Sequence, residues 1–420
     1  MSFLAANGLA IATISIVAVA VAGIWIGLWA ATPLRWPREL FLPERLGGAG
    51  STGARGVVAL VPARDEASLL PLTLPPLLAQ RGLGLVVLVD DASSDGTARV
   101  ARELGTAAAG EGRGPRRAHL EVVRVDGHAD GWSGKVAAQA RGLARARELR
   151  GDTEWLLLVD ADIRLREGAL PALLEVAETD GRDLVSVMAR LRAVSFWERL
   201  LVPPFVYFFH LLYPFRLVHR DGSKVAAAAG GCVLVRVAAL ERAGGLEAIR
   251  DRLIDDVALA RAVKHSGGRI WLGFDPGVES VRAYESLAEV WRMIARNAFV
   301  QLGFRWTLLA LTLVGLGLVF VSPPFGLSAA LVAGWAGDGA AGDGALSPAA
   351  VAAAGFTIAW LLQVAALWPS VRHHRAGFAF AWTLPLAAAL YGAMTVSSAW
   401  AHLKGRTSRW RGREYRRSQR

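Results

Sequence analysis

Three acidic pairs each stand behind a short apolar run: Asp90-Asp91 after residues 85–89, Asp160 and Asp162 after residues 155–159, and Asp255-Asp256 after Leu253-Ile254. Carboxylates at strand ends lie where an open α/β sheet binds and transforms a ligand. There they can hold a hard cation through oxygen or take up a proton. Two of the pairs also have a plainer reading. Asp160-Ala161-Asp162 alone would be a turn or cap, and Asp255-Asp256 a favourable acidic start to a helix. The succession of such pairs in one stretch of chain favours chemistry over capping.

The elements that must position them alternate between two periods. Residues 57–61 and 85–89 are continuous aliphatic runs, and a helical stretch between them ends near Gly82. Ser93-Ser94-Asp95-Gly96 then turns the chain into a helix through Leu104-Gly105, with Asp95 and Thr97 as turn and cap. Residues 119–125, 134–149, 155–159 and 169–177 continue the alternation, which predicts a mostly parallel, doubly wound sheet. Residues 111–117, rich in Gly, Pro and Arg, read as a surface loop. Gly230 and Gly231 suit a close backbone approach. Cys232, the single cysteine, excludes an internal disulfide and fits a reducing compartment and a core position. His128, His210, His219, His265, His373 and His374 show no ligand spacing near a carboxylate set.

The chain of 420 residues is 53% apolar with a formal charge of +11, enough for one sizeable domain and several membrane segments. Residues 1–34 carry no charge, and 11–31 is long enough to span a bilayer; with no basic region ahead of it, the segment reads as an uncleaved anchor. Apolar stretches return at 306–334, 349–368 and 377–401. Arg35, Arg38 and Arg45 follow the first span, and the tail from Lys404 carries eight Lys/Arg against Glu414 alone, so both flanks read as cytoplasmic. That demands an even number of crossings where three stretches are counted. The stretch 306–334 contains Pro323-Pro324 and is either a hairpin of two short helices or one kinked span. Residues 337–348 form a Gly/Ala/Asp connector without basic residues, as an external loop would. The tail suits anionic lipid headgroups; no aromatic-interleaved basic stripe marks a nucleic-acid site. The expected organisation is an anchor at 1–34, a domain at 56–305 facing the cytoplasm, spans within 306–401 and a tail at 402–420, in the inner membrane.

Pro62-Ala63-Arg64-Asp65-Glu66 and Val89-Asp90-Asp91-Ala92-Ser93-Ser94-Asp95-Gly96-Thr97, followed by Gly134-Lys135 ahead of Gly142, Asp160-Ala161-Asp162, Gly230-Gly231 and Ile254-Asp255-Asp256, resemble the ordered motifs of the family 2 glycosyltransferases. The resemblance covers about residues 57–306 and implies the Rossmann-like GT-A fold that binds nucleotide-sugars. The Gly131-Trp132-Ser133-Gly134-Lys135 segment, the membrane layout and Trp410-Arg411-Gly412-Arg413-Glu414-Tyr415 resemble the hopanoid-associated branch, with carotenoid and sphingolipid glycosyltransferases as relatives.

The resemblance implies roles. A leaving diphosphate needs its charge neutralised, which Mg²⁺ or Mn²⁺ does as a Lewis acid; Asp162 is the expected ligand, and Asp160 either binds the metal through water or holds the ribose. Asp90 or Asp91 contacts the nucleoside, and residues 62–66, with Pro62, Arg64 and Glu66, line it. Lys135 at a helix start assists the diphosphate, or is an ordinary solvated lysine. Asp256 is the expected base for the acceptor hydroxyl and Asp255 its partner, in a displacement that inverts the anomeric centre. Gly231 and a closing set of Gln301, Arg305 and Trp306 border the acceptor. The family spacing Gln-x-x-Arg-Trp is one residue longer here, but on a helix Gln301 and Arg305 would share a face; Trp306 reads equally as an interfacial residue. The aromatic stretch 195–216, with Phe196, Trp197, Phe205, Tyr207, Phe208, Phe209, Tyr213 and Phe215, is too short to span and reads as an interfacial helix that presents a lipid, or as a core helix. The expected function is transfer of a sugar from a nucleotide donor to a membrane lipid hydroxyl, a hopanoid by the branch resemblance. The alternatives are a processive polysaccharide synthase and a non-catalytic nucleotide-sugar-binding scaffold.

Overall fold

A computed structural model describes residues 2–31, 36–43, 56–110, 117–127, 130–335, 346–405, 409–410 and 413–414. Arg35, Arg45, His128, the loop 111–116, most of the connector 337–348, and Arg411, Gly412 and Tyr415 of the tail motif lie outside these residues. The chain forms two compact units. One comprises Met1–Pro37, Ala193–Phe208 and Tyr284–Gly405, and the other Arg38–Arg192, Phe209–Ala283 and Arg406–Arg420.

The second unit is built on eight strands: β1 (Val57–Ala63), β2 (Leu83–Asp91), β3 (His119–Val125), β4 (Trp155–Val159), β5 (Ile163–Leu165), β6 (Leu184–Arg190), β7 (Cys232–Arg236) and β8 (Ile270–Ser280), in the order β3-β2-β1-β4-β7-β6-β8-β5. β1 and β4 are buried throughout and β2 at all but one residue, which is why their sequences are unbroken apolar runs rather than alternating ones. β1 pairs parallel with β2 and β4, β2 with β3, and β6 with β8. β7 runs antiparallel to both β4 and β6, and β5 to β8. The sheet is thus mixed, more so than the alternation implies, because β7 starts beside the end of β4: Val159 is opposite Cys232. That start brings Gly230 and Gly231 to the carboxyl edge of β4.

β1 lies between β2 and β4, where the winding of the sheet reverses and ligands bind. Its register sets Ala63 beside Asp90 and Leu60 beside Leu158, so residues 64–66, the Asp90-Asp91 pair and the 160–162 segment leave the sheet at one edge. Asp90 and Asp91 are the last residues of β2 rather than its successors, and the helix after them runs on to Gly110.

Among the described residues of the first unit, four helices are long and apolar enough to cross a membrane: Ile11–Ala30, Trp306–Trp335, Pro348–His373 and Phe378–Leu403. Of the two readings of 306–334, the single helix is the one formed, with Leu316–Val321 as a π-helical turn between two α-helical parts. The prolines dictate this. Pro323 and Pro324 have no N–H for the carbonyls of Val319 and Phe320, four residues earlier. In a bilayer such carbonyls must be met from elsewhere in the protein. Trp25 Nε1 donates to Val319 O at 2.8 Å, and Gln363 Nε2 donates to Val319 O at 3.2 Å and Phe320 O at 3.1 Å. Trp25 and Gln363 are both fully buried.

The units divide at 37/38 and 283/284 rather than at 34 and 305, and residues 193–208 belong to the apolar unit. Packing explains it: Leu200 and Leu201 share a core with Val290, Ile294, Ala387 and Met394. The helix Phe196–Leu212 starts with a capping box, Ser195 Oγ accepting from Glu198 N at 3.2 Å while Glu198 Oε2 accepts from Ser195 N at 2.9 Å. The other Glu198 oxygen accepts from Tyr284 N at 2.7 Å, so one buried carboxylate ties together two distant segments of this unit.

Gln363→Leu removes the donor to Phe320 O and one of the two donors to Val319 O. We expect a loss of about 1–2 kcal/mol in unfolding free energy in micelles, the scale of a hydrogen bond between membrane helices, read from denaturant titration against the parent. A variant as stable as the parent would mean that other groups satisfy those carbonyls.

Candidate active site

The loops after β1 and β2 are tied to each other through side chains. Asp65 N donates to Ser93 Oγ at 3.0 Å, Ser94 N to Asp65 Oδ1 at 2.8 Å, Glu66 N to Thr97 Oγ1 at 2.8 Å and Ala67 N to Asp95 Oδ2 at 2.9 Å. Asp65 sits at a left-handed φ of 52°, held there by these contacts, and Ala92 at 50°, where its N–H donates to Asp90 O at 3.1 Å. Burial works to raise the Asp95 pKa, but hydrogen bonds from Thr97 and Ala67 hold it below the ordinary carboxylate range. Asp95 and Thr97 are therefore the turn and cap their sequence context suggests.

Asp90 and Asp91 differ in their surroundings. Arg64 donates to the Asp91 carbonyl at 3.2 Å and stands 3.4 Å from its carboxylate. Asp90 is fully buried; its Oδ1 accepts from Ser93 N at 3.1 Å, and its Oδ2 has no hydrogen-bond partner among the described residues. A buried carboxylate oxygen without a donor is costly, and a ligand N–H or O–H would relieve it.

The acidic pairs after β4 and at the start of the helix Asp255–His265 converge on one lysine. Lys135 Nζ lies 2.8 Å from Asp160 Oδ1 and 3.4 Å from Asp255 Oδ2. Burial would lower its pKa, but Asp160, Asp255 and Asp256 outweigh burial and hold it well above the usual lysine value. Lys135 is thus an internal counter-ion for the acidic groups and not the solvated lysine of its plainer reading. Asp160 is raised by burial, with Lys135 opposing and Asp162 adding to the rise. Asp256 takes hydrogen bonds from Gly230 N at 2.7 Å and from its neighbour Val257 N at 2.7 Å. Burial, reinforced by the Asp255 charge and opposed by Lys135, pushes its pKa to about 6. A carboxylate of that pKa is a competent general base near neutrality.

Gly230 and Gly231 belong to the same centre. A Cβ on Gly230 would stand 3.0 Å from Asp256 Oδ2 and 3.1 Å from Lys135 Nζ. Gly231 O accepts from Asp160 N at 3.1 Å, fastening the start of β7 to the acidic turn.

Arg282, just past β8, was not foreseen. Its NH2 reaches both Glu66 oxygens, at 2.6 and 2.8 Å, and its Nε lies 3.2 Å from Asp162 Oδ2, which also accepts from Ser280 Oγ at 2.8 Å. Arg282 carries the same signal as the pairs after β2 and β4, a polar residue just beyond a strand, but with a basic side chain.

Among the described residues no three His, Cys, Asp or Glu side chains converge as a cation cage. The donor set still fits Mg²⁺ or Mn²⁺, which nucleotide sites hold through one or two carboxylates with phosphates and water completing the shell. Asp160 Oδ2 and Asp162 Oδ1 take no hydrogen bond among the described residues.

Gln301, Arg305 and Trp306 lie in the other unit. Gln301 ends the helix Leu287–Gln301, Gly303 and Phe304 both turn at φ 60°, and Arg305 caps the helix that begins at Trp306. Gln301 and Arg305 therefore do not share a helical face, because the left-handed turn between them breaks the periodicity. The aromatic stretch 195–216 is likewise not one surface. Phe208 packs on Phe320 and Tyr391, whereas Phe209 packs on Tyr213 and Phe215 in the sheet unit. Its exposed large apolar residues are Phe196 and Leu212.

A mixed sheet with acidic side chains at its reversal point, and a second carboxylate pair opening a helix across a lysine, is the arrangement of a GT-A-type glycosyltransferase. The chain matches the model of glycosyl transferase family 21 over residues 117–419 and belongs to that family. The motifs resemble family 2; family 21 is the assignment the match supports. In fold the chain is similar to a mannosyltransferase from Pyrobaculum calidifontis solved with GDP-Man and Mn²⁺, with a TM-score of 0.51, 18% identity and coverage of 92% of this chain and 99% of that one. It is also 30% identical over 135 residues to 4,4'-diaponeurosporenoate glycosyltransferase of Staphylococcus haemolyticus (strain JCSC1435), a match spanning 32% of each chain, so about a third of that relative's length is covered.

Gly230→Ala tests the centre's tightness. The Asp256 side chain and the Lys135 ammonium, itself held by Asp160 and Asp255, would each have to give by a few tenths of an ångström, so thermal unfolding should fall only modestly below the parent's. Sugar transfer should fall by about 10²-fold as Asp256 is displaced, since small misplacements of catalytic groups have that effect. Unchanged turnover would show that Asp256 need not sit against Gly230.

Proposed function

We propose that the protein is an inverting glycosyltransferase that moves a sugar from a nucleotide-sugar donor to the hydroxyl of a membrane lipid, with a hopanoid as the expected acceptor. Its sheet unit faces the cytoplasm at the inner membrane. The observation that carries the reading is Asp256: a carboxylate held by Gly230 N–H at 2.7 Å with its pKa raised to about 6, set across Lys135 from the Asp160/Asp162 turn. A binding scaffold has no use for a base so tuned.

In this reading the nucleoside lies against Asp90, whose open oxygen accepts a donor from it, and against residues 62–66. Asp160 and Asp162 would hold a divalent cation, which supplies charge neutralisation to the departing diphosphate. The acceptor O–H gives its proton to Asp256 while its oxygen attacks the anomeric carbon. The bond from that carbon to the phosphate oxygen breaks, and the nucleoside diphosphate leaves from the opposite face, inverting the centre. Asp255 and Lys135 fix the carboxylate's surroundings, and Gly231 keeps the acidic turn in place. Gln301, Arg305 and Trp306 are retained as a closing set that a loop, not a helix, would have to assemble.

The four apolar helices and the relative named for 4,4'-diaponeurosporenoate support a lipid acceptor. Mass analysis of lipids from cells making the parent or Asp256→Asn should show a glycosylated lipid only with the parent. Glycan polymer in place of a glycolipid would overturn the acceptor assignment and favour a synthase.

The base can be tested by pH. The carboxylate is the active form, so single-turnover transfer at saturating donor should be level above pH 6 and drop about tenfold per unit well below it. Asp256→Asn should lower transfer by roughly 10²–10⁴-fold and abolish the acid limb, with donor affinity retained. Should Asp255→Asn prove the more damaging at equal donor affinity, the base has been assigned to the wrong neighbour.

A further inference from the structure

The two carboxylates of the acidic turn are each half occupied. One oxygen of Asp160 is taken by Lys135 at 2.8 Å, and one oxygen of Asp162 by both Arg282 at 3.2 Å and Ser280 at 2.8 Å. The other oxygen of each takes no hydrogen bond among the described residues, and Asp162 Oδ2, met by two donors, is the more fully occupied of the two engaged oxygens. Lys135 and Arg282 are themselves constrained. Lys135 is pinned by Asp255 and within 3.5 Å of Gly230 O, and Arg282 by both oxygens of Glu66, whose own backbone is fixed by Thr97. The blocked oxygens therefore cannot be freed by a side-chain rotation alone.

We propose that Arg282, with Ser280 and Lys135, makes the cation site selective for small octahedral ions by restricting each aspartate to one metal bond. Mg²⁺ takes single carboxylate oxygens at about 2.0–2.1 Å in octahedral geometry, and Mn²⁺ accepts the same six-oxygen shell. Ca²⁺ prefers six to eight oxygens and commonly uses both oxygens of a carboxylate. A site whose aspartates offer one oxygen apiece withholds that option. Arg282 is a positioning residue here. It acts through Asp162 and links the loop after β1, by way of Glu66, to the metal carboxylate.

The inference rests on the cation site of the proposed function, and the test separates the two. Full-length protein in micelles is titrated with Mn²⁺ alone, bound metal is read by electron paramagnetic resonance, and Ca²⁺ is then added as competitor. The readout is the ratio of Ca²⁺ to Mn²⁺ dissociation constants. Removing a positive charge strengthens both dications alike and leaves the ratio unmoved, whereas freeing an Asp162 oxygen moves it. In Arg282→Met combined with Glu66→Gln, which avoids stranding a buried glutamate, the ratio should fall by about tenfold, the lower end of what partners of metal ligands contribute. Ser280→Ala should shift it the same way by less. A ratio unmoved in both variants overturns the inference while the site stands. If the double variant no longer binds Mn²⁺, Ser280→Ala alone decides, since it leaves every charge in place. Mn²⁺ bound equally by parent and Asp162→Ala would overturn the cation site itself, and the inference with it.

Discussion

Carboxylates crowd the point where the sheet reverses, and much of the sheet unit serves to keep them there. Asp160, Asp255 and Asp256 share Lys135, while Asp162 and Glu66 share Arg282. Negative charge outnumbers positive, and burial amplifies the imbalance because charges out of water interact more strongly. Such a centre is poised for a ligand that brings cationic charge or donates a proton. It also requires a rigid frame, supplied by fully buried strands, by loops laced through Asp65, Ser93 and Thr97, and by glycines where any side chain would intrude.

Much of this frame was legible in the sequence because parallel strands buried on both faces leave unbroken apolar runs, and polar residues at their ends stand out. Asp90 and Asp160 stand out that way; Asp255 and Asp256 instead open a helix after a bend, with no strand before them. β7 and β5 were harder to place: both are short and antiparallel, and which strands they join depends on contacts distant in sequence. Arg282 is silent in the sequence because an arginine after a strand is ordinary, and its meaning comes from Glu66 and Asp162, both distant in the chain. The Gln301/Arg305 spacing suggested a shared helical face; glycine at 303 and a left-handed Phe304 undo it, a local backbone choice that apolar periodicity does not report.

The apolar unit obeys a different constraint. Within a bilayer no water repairs a broken backbone hydrogen bond, so two adjacent prolines become tolerable only beside neighbours with donors to spare. Trp25 and Gln363 provide them, one from the first helix and one from the third. A doublet that reads as a break in isolation becomes, in company, a point at which three helices are registered against one another. The same logic places Glu198 at the junction of residues 194–195 and 284, where its carboxylate collects three backbone N–H groups.

The chain's route between the two units bears on how the enzyme can be handled. The segment 193–208 interrupts the sheet unit, so no single cut in the polypeptide releases that unit whole. A soluble fragment trimmed at residue 305 would still carry Leu200 and Leu201 but would have discarded Ala387 and Met394, their packing partners. Its newly bared apolar surface would invite self-association. Recombination by domain shuffling faces the same obstacle, since the sheet unit cannot be inherited as a contiguous block.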